Sequence, residues 1–307
     1  MTLSPATSDS AETSAPRSFR IGAHSLPAAR PQPGLYIVAT PIGNLGDVTL
    51  RALETLAGAD LIACEDTRVT RRLLERYGIE TKLVAYHDHN AEQARPRLLA
   101  QLAEGGVVAQ VSDAGTPLVS DPGYKLVAAA IEAGHRVIPL PGASASLAAL
   151  VAAGLPTDRF FFEGFLPPKS GARRTRISEL KTLPATLIVY ESGPRLPDSL
   201  ADLADGLGPR PAAVCRELTK TFEEARRGTL DALAAHYAEA GPPKGEIVLV
   251  IGPPMAEESS EADLDAALKA ALASLSVKDA AAAVATATGL PRRAVYARAL
   301  ALQGGDG

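Results

Sequence analysis

The chain has 307 residues, 46% of them hydrophobic, and its 31 Lys and Arg against 35 Asp and Glu leave a formal net charge of −4. That length is about twice the usual domain, and the acidic balance excludes a general nucleic-acid coat, which needs surplus cations for phosphate contacts. The two cysteines, Cys64 and Cys215, sit in no CxxC or Cys/His cluster, which favours buried thiols in a reducing compartment over a disulfide frame or a zinc site.

Residues 1–33 are rich in Ser, Ala and Pro, lack a continuous apolar stretch, and read as a disordered tail. From Gly34 the short β-rich runs "LYIVA", "LIAC", "KLVAY", "VVAQV" and "RVIPL" alternate with helix-length amphipathic segments, such as the one carrying Val69, Leu73 and Tyr77 ahead of a C-terminal Gly78. Strand, helix, strand in repetition predicts an α/β domain with a mainly parallel sheet over 34–154. The rhythm then changes. "RFFFE", "TLIVY", "AAVCRE" and "EIVLVIG", separated by one long helix, a loop and a hairpin-like "ELTKTFEEARRG", predict a second α/β domain with a mixed sheet over 155–254. A linker at 255–262 leads to an Ala-rich segment, 263–307, that reads helix, Gly289 turn, helix. No run is apolar for long enough to span a membrane as a helix.

Ligands of open parallel sheets bind beyond the carboxyl ends of the strands, and three distinctive turns fall at such ends. In "VSDAGTPLVSDPG", Gly115 and Pro117 shape a turn that brings backbone amides near a ligand, and Asp113 offers an acceptor suited to ribose hydroxyls. No GxxxxGK[ST] pattern follows, and "VATPIGNLGD" stands where a GxGxxG would follow the first strand. There Pro41, Gly43 and Asn44 make the turn and Asp47 is a candidate N-cap, while "LPGASAS" puts Ser144 and Ser146 at a helix start. Each turn alone is an ordinary loop; three at one sheet edge point to a site. "CEDTR" adds Glu65, Asp66 and Arg68 at the end of the second strand, for substrate positioning and proton acceptance or, equally, for a helix cap with a surface ion pair.

Together "LYIVATPIGNLGDVTLRALETL", "ADLIACEDTR", "YHDHN", "VSDAGTPLVSDPGY", "LPTDRFFFEGFLP", "RELTKTFEE" and "KGEIVLVI" resemble the ribosomal RNA small subunit methyltransferase I family of the tetrapyrrole-methylase superfamily, from Leu35 to about Leu302. The resemblance implies a two-domain α/β methyltransferase with a helix-turn-helix-like extension, usually a homodimer, binding S-adenosylmethionine between its domains. The implied reaction is 2'-O-methylation of cytidine 1402 in the decoding region of 16S rRNA. By the same resemblance Asp113, Gly115, Thr116 and Pro117 line the S-adenosylmethionine pocket, completed by Thr40, Pro41, Ser144, Ala145 and main chain near Leu218. Glu65 and Asp66 stay as candidate proton acceptors, although alignment of the hydroxyl with an activated sulfonium donor supplies much of the acceleration without a base. "YESGPRL" departs from the family, which commonly has a Pro-His pair where this chain has Gly193 and Pro194 before Arg195.

The remaining motifs concern RNA and metals. Lys169, Arg173, Arg174 and Arg176 in "LPPKSGARRTR" are either a phosphate clamp or a solvated helix turn. Arg292, Arg293 and Arg298 lie on the last helix, for RNA or ribosome docking, dimer contact or simple capping, and Arg68 completes the RNA candidates. His87 and His89 of "YHDHN" make an incomplete metal site and read as a polar cleft wall, with no metal expected. The sequence therefore predicts a cytoplasmic S-adenosylmethionine-dependent methyltransferase of 16S rRNA or the small ribosomal subunit, without a membrane partner. A methylase of a tetrapyrrole or other small molecule, and a non-catalytic RNA-binding ribosome-assembly factor, are the alternatives.

Overall fold

The computed structural model describes residues 17–121, 123–254, 261–288 and 290–304, in two compact units that divide after Pro253. The first departure from expectation is at the amino end. Of the predicted tail, 1–16 lie outside the described residues, but β1 (Ser18–Ile21) and β2 (His24–Pro27) pair as an antiparallel hairpin turning at Gly22, whose φ is 61°. Phe19 inserts into the core, and Arg17 and Arg30 both reach Asp60, at 2.6 and 2.8 Å. A segment with so few apolar residues is held by one buried ring and a shared carboxylate, neither of which composition reveals.

Strands β3 (Gly34–Val38), β4 (Leu61–Cys64), β5 (Leu83–Ala85), β6 (Val107–Gln110) and β7 (Val137–Leu140) form the predicted parallel sheet, in the order β5-β4-β6-β3-β7. Both faces are covered, which is why the strands read as continuous apolar runs. Tyr36, Val38, Ile62 and Val107 share a cluster with residues of α1 (Leu50–Gly58) and α2 (Thr67–Tyr77). Leu35, Ile37, Ala63 and Val108 face α3 (Ala91–Ala103) and α4 (Tyr124–Glu132). Gly78 ends α2 in the left-handed conformation, as predicted, whereas α1 is capped by Thr49, which accepts the Ala52 N–H at 3.1 Å, and not by Asp47.

After α5 (Ala145–Ala153) come β8 (Phe160–Phe165), α6 (Ser170–Leu180), β9 (Thr186–Ser192), α7 (Leu196–Leu207), β10 (Pro211–Arg216), β11 (Glu224–Thr229), α8 (Leu230–Ala240) and β12 (Glu246–Ile251). The second sheet, β11-β10-β12-β9-β8, is mixed: only β8 and β9 run parallel. Where a loop was expected before "AAVCRE" stands α7, starting at a proline-rich turn and burying Leu196, Leu200, Leu203 and Leu207. Its Pro, Asp and Gly content hid a regular apolar period. Helices α6, α7 and α8 cover one face of this sheet; α5 covers the other, packing Ala149, Leu150 and Ala153 on Ile188, Ala213 and Val248. A boundary at residue 154 therefore falls after a helix whose packing belongs to the second sheet.

The second unit contains α9 (Glu261–Leu272), α10 (Val277–Thr288) and α11 (Arg292–Gly304) around Leu268, Ala281, Val284 and Val295. Arg298 grips Asp265 through two hydrogen bonds of 2.6 and 2.7 Å. Most of the expected linker, 255–260, and Gly289 lie outside the described residues, and the helical segment begins at Glu261.

Candidate active site

The three turns singled out in the sequence meet. Thr40 and Gly115 exchange backbone hydrogen bonds of 2.9 and 3.0 Å, so the loops after β3 and β6 lie side by side. Gly115 has φ 82°, and a Cβ there would come 3.2 Å from Ile42 Cγ2, which makes glycine the residue for this turn. Thr116 Oγ1 donates to the Ala143 carbonyl at 3.1 Å, drawing in the turn before α5. From the second half, Thr219 Oγ1 accepts the Asn44 N–H at 3.1 Å, and the aliphatic stem of Lys220 fills the space where a side chain on Gly43 would sit. Lys220 itself is fixed by Glu217 and Glu246, at 2.9 Å each.

Between these loops lies a cavity of about 320 Å³, within the range of small-molecule sites, roughly 300–1,000 Å³. The first half contributes Ile42, Gly115, Thr116, Val119, Asp121, Ser144 and Ala145, and the second Phe165, Tyr190, Glu191, Leu218 and Val248. The start of α5 faces it. Ser144 makes no side-chain cap, its hydroxyl lying 2.9 Å from that of Ser146; the Tyr190 hydroxyl meets the Ser146 amide, and the helix start otherwise offers its amide end to a ligand acceptor.

Of the expected cofactor residues, Gly115, Thr116, Ser144, Ala145 and Leu218 line the cavity. Thr40, Pro41 and Pro117 are buried behind it and shape the turns. Asp113 does not line the cavity; its Oδ1 accepts the Asp66 N–H at 2.9 Å, joining the loops after β6 and β4. An amide at the entrance to α2 needs an acceptor, and Asp113 satisfies it. Asp66 is likewise committed, accepting the Arg68 N–H at 2.8 Å and pairing with the Arg68 guanidinium at 2.6 Å. Those hydrogen bonds hold its carboxyl down at about 2, too acidic for a proton acceptor. Glu65 moves the other way: burial, then the Asp113 and Asp88 charges, raise it.

Sequence reasoning missed Asp121, Tyr190, Glu191 and the strand start at 245–248, all of which line the cavity. Asp121 belongs to the second Ser-Asp pair of the quoted turn, the one signal that pointed to it. Burial and the neighbouring Glu65 push its carboxyl up to about 6, with Asp113 adding to the effect and a Ser112 hydrogen bond opposing it. Cys215, also on the wall, is an inert thiol pushed up to about 11 by burial. At the family departure, a Cβ on Gly193 would lie 1.8 Å from the Pro243 carbonyl oxygen, so a proline there requires the 243 backbone to move.

Three of the four cations in the run expected to clamp phosphate are paired within the chain. Arg173 is buried and bound to Asp202 at 2.7 Å; Arg174 bonds Asp202, also at 2.7 Å, and Asp205; Arg176 forks onto Glu163 with two bonds of 2.7 Å. Only Lys169 of that run projects without such a partner among the described residues. Arg292 and Arg293, in the first turn of α11, are exposed. His87 and His89 stack edge to face with centroids 6.0 Å apart, and among the described residues no group of three or more His, Cys, Asp or Glu is placed to hold a metal.

A parallel sheet and a mixed sheet that share a cavity at their loops define a class, and residues 34–234 match the tetrapyrrole (corrin/porphyrin) methylase family. The same fold is found in a cobalt precorrin-4 methyltransferase (18% identity, TM-score 0.54, covering 71% of this chain and 94% of that one). A diphthine synthase shares it too (17% identity, TM-score 0.55, covering 71% and 89%). Residues 258–303 match the RsmI C-terminal HTH domain. Two curated relatives bear one name, ribosomal RNA small subunit methyltransferase I. That of Mesorhizobium japonicum is 56% identical over 94% of this chain and 98% of its own length; that of Escherichia coli O157:H7 is 50% identical over 88% and 96%. The chain belongs to the ribosomal RNA small subunit methyltransferase I family.

Proposed function

We propose that the protein transfers a methyl group from S-adenosylmethionine to the 2'-hydroxyl of cytidine 1402 in the 16S rRNA of the small ribosomal subunit. The observation that carries this reading is the convergence of the Gly115–Thr116 turn, the open amide end of α5 and the Leu218 loop on one cavity. Such a site suits a donor with three chemically distinct parts. The amides at the start of α5 provide for its carboxylate, the Ile42, Val119 and Leu218 side chains for its adenosine, and the enclosed space between the loops for its sulfonium. The donor brings the activated methyl group; the protein aligns an oxygen with it and excludes competing water.

The relatives' shared name and their near-complete overlap with this chain support the ribosomal substrate over a tetrapyrrole. Arg292 and Arg293 supply the RNA contacts, which gives the acidic chain its local cationic patch. The reading includes a homodimer, a cytoplasmic location where ribosomes are made, and a cofactor cleft between the parallel-sheet and mixed-sheet domains, with α5 belonging to the second. Among the described residues no helix is long and apolar enough to cross a membrane. Titration calorimetry tests the donor: S-adenosylmethionine binds the parent, and Ala145→Trp, which fills the cavity, abolishes binding while the thermal melt stays cooperative. An assembly factor that had merely kept the fold would give no heat of binding in the parent.

A further inference from the structure

Three carboxylates lie on the cavity wall, and two are committed. Glu191 accepts the Ser192 N–H at 2.8 Å and the Ser199 hydroxyl at 2.6 Å and pairs with Arg195 at 3.2 Å; Glu246 is bonded to Lys220 at 2.9 Å. Asp121 is the third, and among the described residues no lysine or arginine pairs with it. Its loop is held in an unusual backbone: Leu118 and Ser120 have φ of 75° and 61°, a conformation that is costly for a non-glycine residue and persists where the surroundings enforce it. Gly164 on β8 closes against this loop, since a Cβ there would come 3.1 Å from Ser120 Oγ. The strained turn brings Asp121 to the cavity wall it shares with Tyr190.

We propose that Asp121 is the proton acceptor of the methyl transfer, taking the hydrogen of the substrate hydroxyl as its oxygen attacks. The inference rests on the functional reading above. In the step, the hydroxyl O–H bond breaks and its proton passes to an Asp121 carboxylate oxygen. An oxygen lone pair forms the new C–O bond, and the methyl–sulfur bond breaks with its electrons returning to sulfur as a neutral thioether. The proton then leaves to water, and no other reactant is needed. The ionisable groups facing Asp121 are Glu65 from the loop after β4, Asp113 from the loop after β6 and Tyr190 from β9. Burial, and then the Glu65 and Asp113 charges against a Ser112 hydrogen bond, push its carboxylate up to about 6, where a general base acting near neutrality works best. Glu65, a candidate base from the sequence, thus acts as a positioning and tuning residue through Asp121.

The test is single-turnover transfer from methyl-labelled S-adenosylmethionine to small subunits lacking the methyl group, between about pH 5 and 8.5, with donor affinity measured in parallel. The parent rate should fall about tenfold per pH unit below about 6, because the base must be ionised. Asp121→Asn should slow transfer roughly 10²- to 10⁴-fold and abolish that acid limb, with donor affinity within about threefold of the parent. Asp121→Glu should recover part of the rate with the limb restored. Glu65→Gln, which removes a neighbouring negative charge, should move the limb to lower pH. Parental rates in Asp121→Asn, or a slow variant that keeps the limb, would overturn the proposal. If Asp121→Asn fails to fold, Glu65→Gln decides, and a limb left at the parental pH overturns it. If the parent itself labels no ribose oxygen, the functional reading fails, a result distinct from every variant outcome.

Discussion

The basic run of α6 and the acidic turn after β6 were the two sharpest charge signals in the sequence, and folding treats them in opposite ways. Arg173, Arg174 and Arg176 are absorbed by Asp202, Asp205 and Glu163, whereas Asp121 reaches the cavity wall with no lysine or arginine paired to it among the described residues and with Glu65 and Asp113 nearby. A cluster of charge in a sequence is thus no measure of charge available to a partner. Availability is set by tertiary neighbours: a paired guanidinium has already spent its hydrogen-bonding fork, while an unpaired carboxylate keeps its electrostatic energy for chemistry.

The comparison breaks first at Asp202. Because Arg173 and Asp202 are buried, Asp202→Ala leaves a cation without a partner, and unfolding stability should fall by about 3–5 kcal/mol, a drop in the calorimetric midpoint on the order of 10 °C. A negligible change in midpoint together with weakened RNA binding would return this run to the RNA interface. Next comes the salt dependence of subunit binding. Arg292→Ala and Arg293→Ala should each shallow the log–log slope by about one, while Arg174→Ala leaves it at the parental value.

Asp121→Asn sharpens the comparison from the other side. Its folded carboxyl titrates at about 6, above the unfolded value near 3.9, so the ionised form burdens the native state as pH rises through about 6. The variant should therefore be more stable than the parent at about pH 8, by about 1 kcal/mol after solvent screening, and equal to it below about pH 4. Denaturant melts at the two pH values check the sign. The smallest effect is at the hairpin: Arg30→Ala, removing one of the two arginines on Asp60 at a half-exposed pair, should cost less than about 1 kcal/mol.

The parallel sheet was legible because strands such as "LYIVA" and "VVAQV" are buried on both faces and so uniformly apolar. Turn residues gathered at one sheet edge pointed to the cavity, which Gly115, Thr116, Ser144 and Ala145 line, as does Leu218, expected from the family resemblance alone. What stayed hidden depends on partners remote in the chain. Nothing near Arg173 announces Asp202, nothing near Asp113 says that its acceptor serves Asp66, and α5 carries no local sign that it will cover the sheet that follows. The hairpin at 18–27 was invisible for the same reason, since Phe19 and the Asp60 clamp act only once the core exists.

The central claim is methylation of a single ribose oxygen in small-subunit RNA. Purified protein is incubated with methyl-labelled S-adenosylmethionine and unmodified small subunits, and the extracted rRNA is hydrolysed in alkali. Cleavage by alkali needs a free 2'-hydroxyl, so a methylated ribose survives as a resistant dinucleotide. Label confined to one cytidine-containing resistant dinucleotide is the predicted result. Label released wholly in mononucleotides, or none incorporated by a protein that binds the donor, would contradict it.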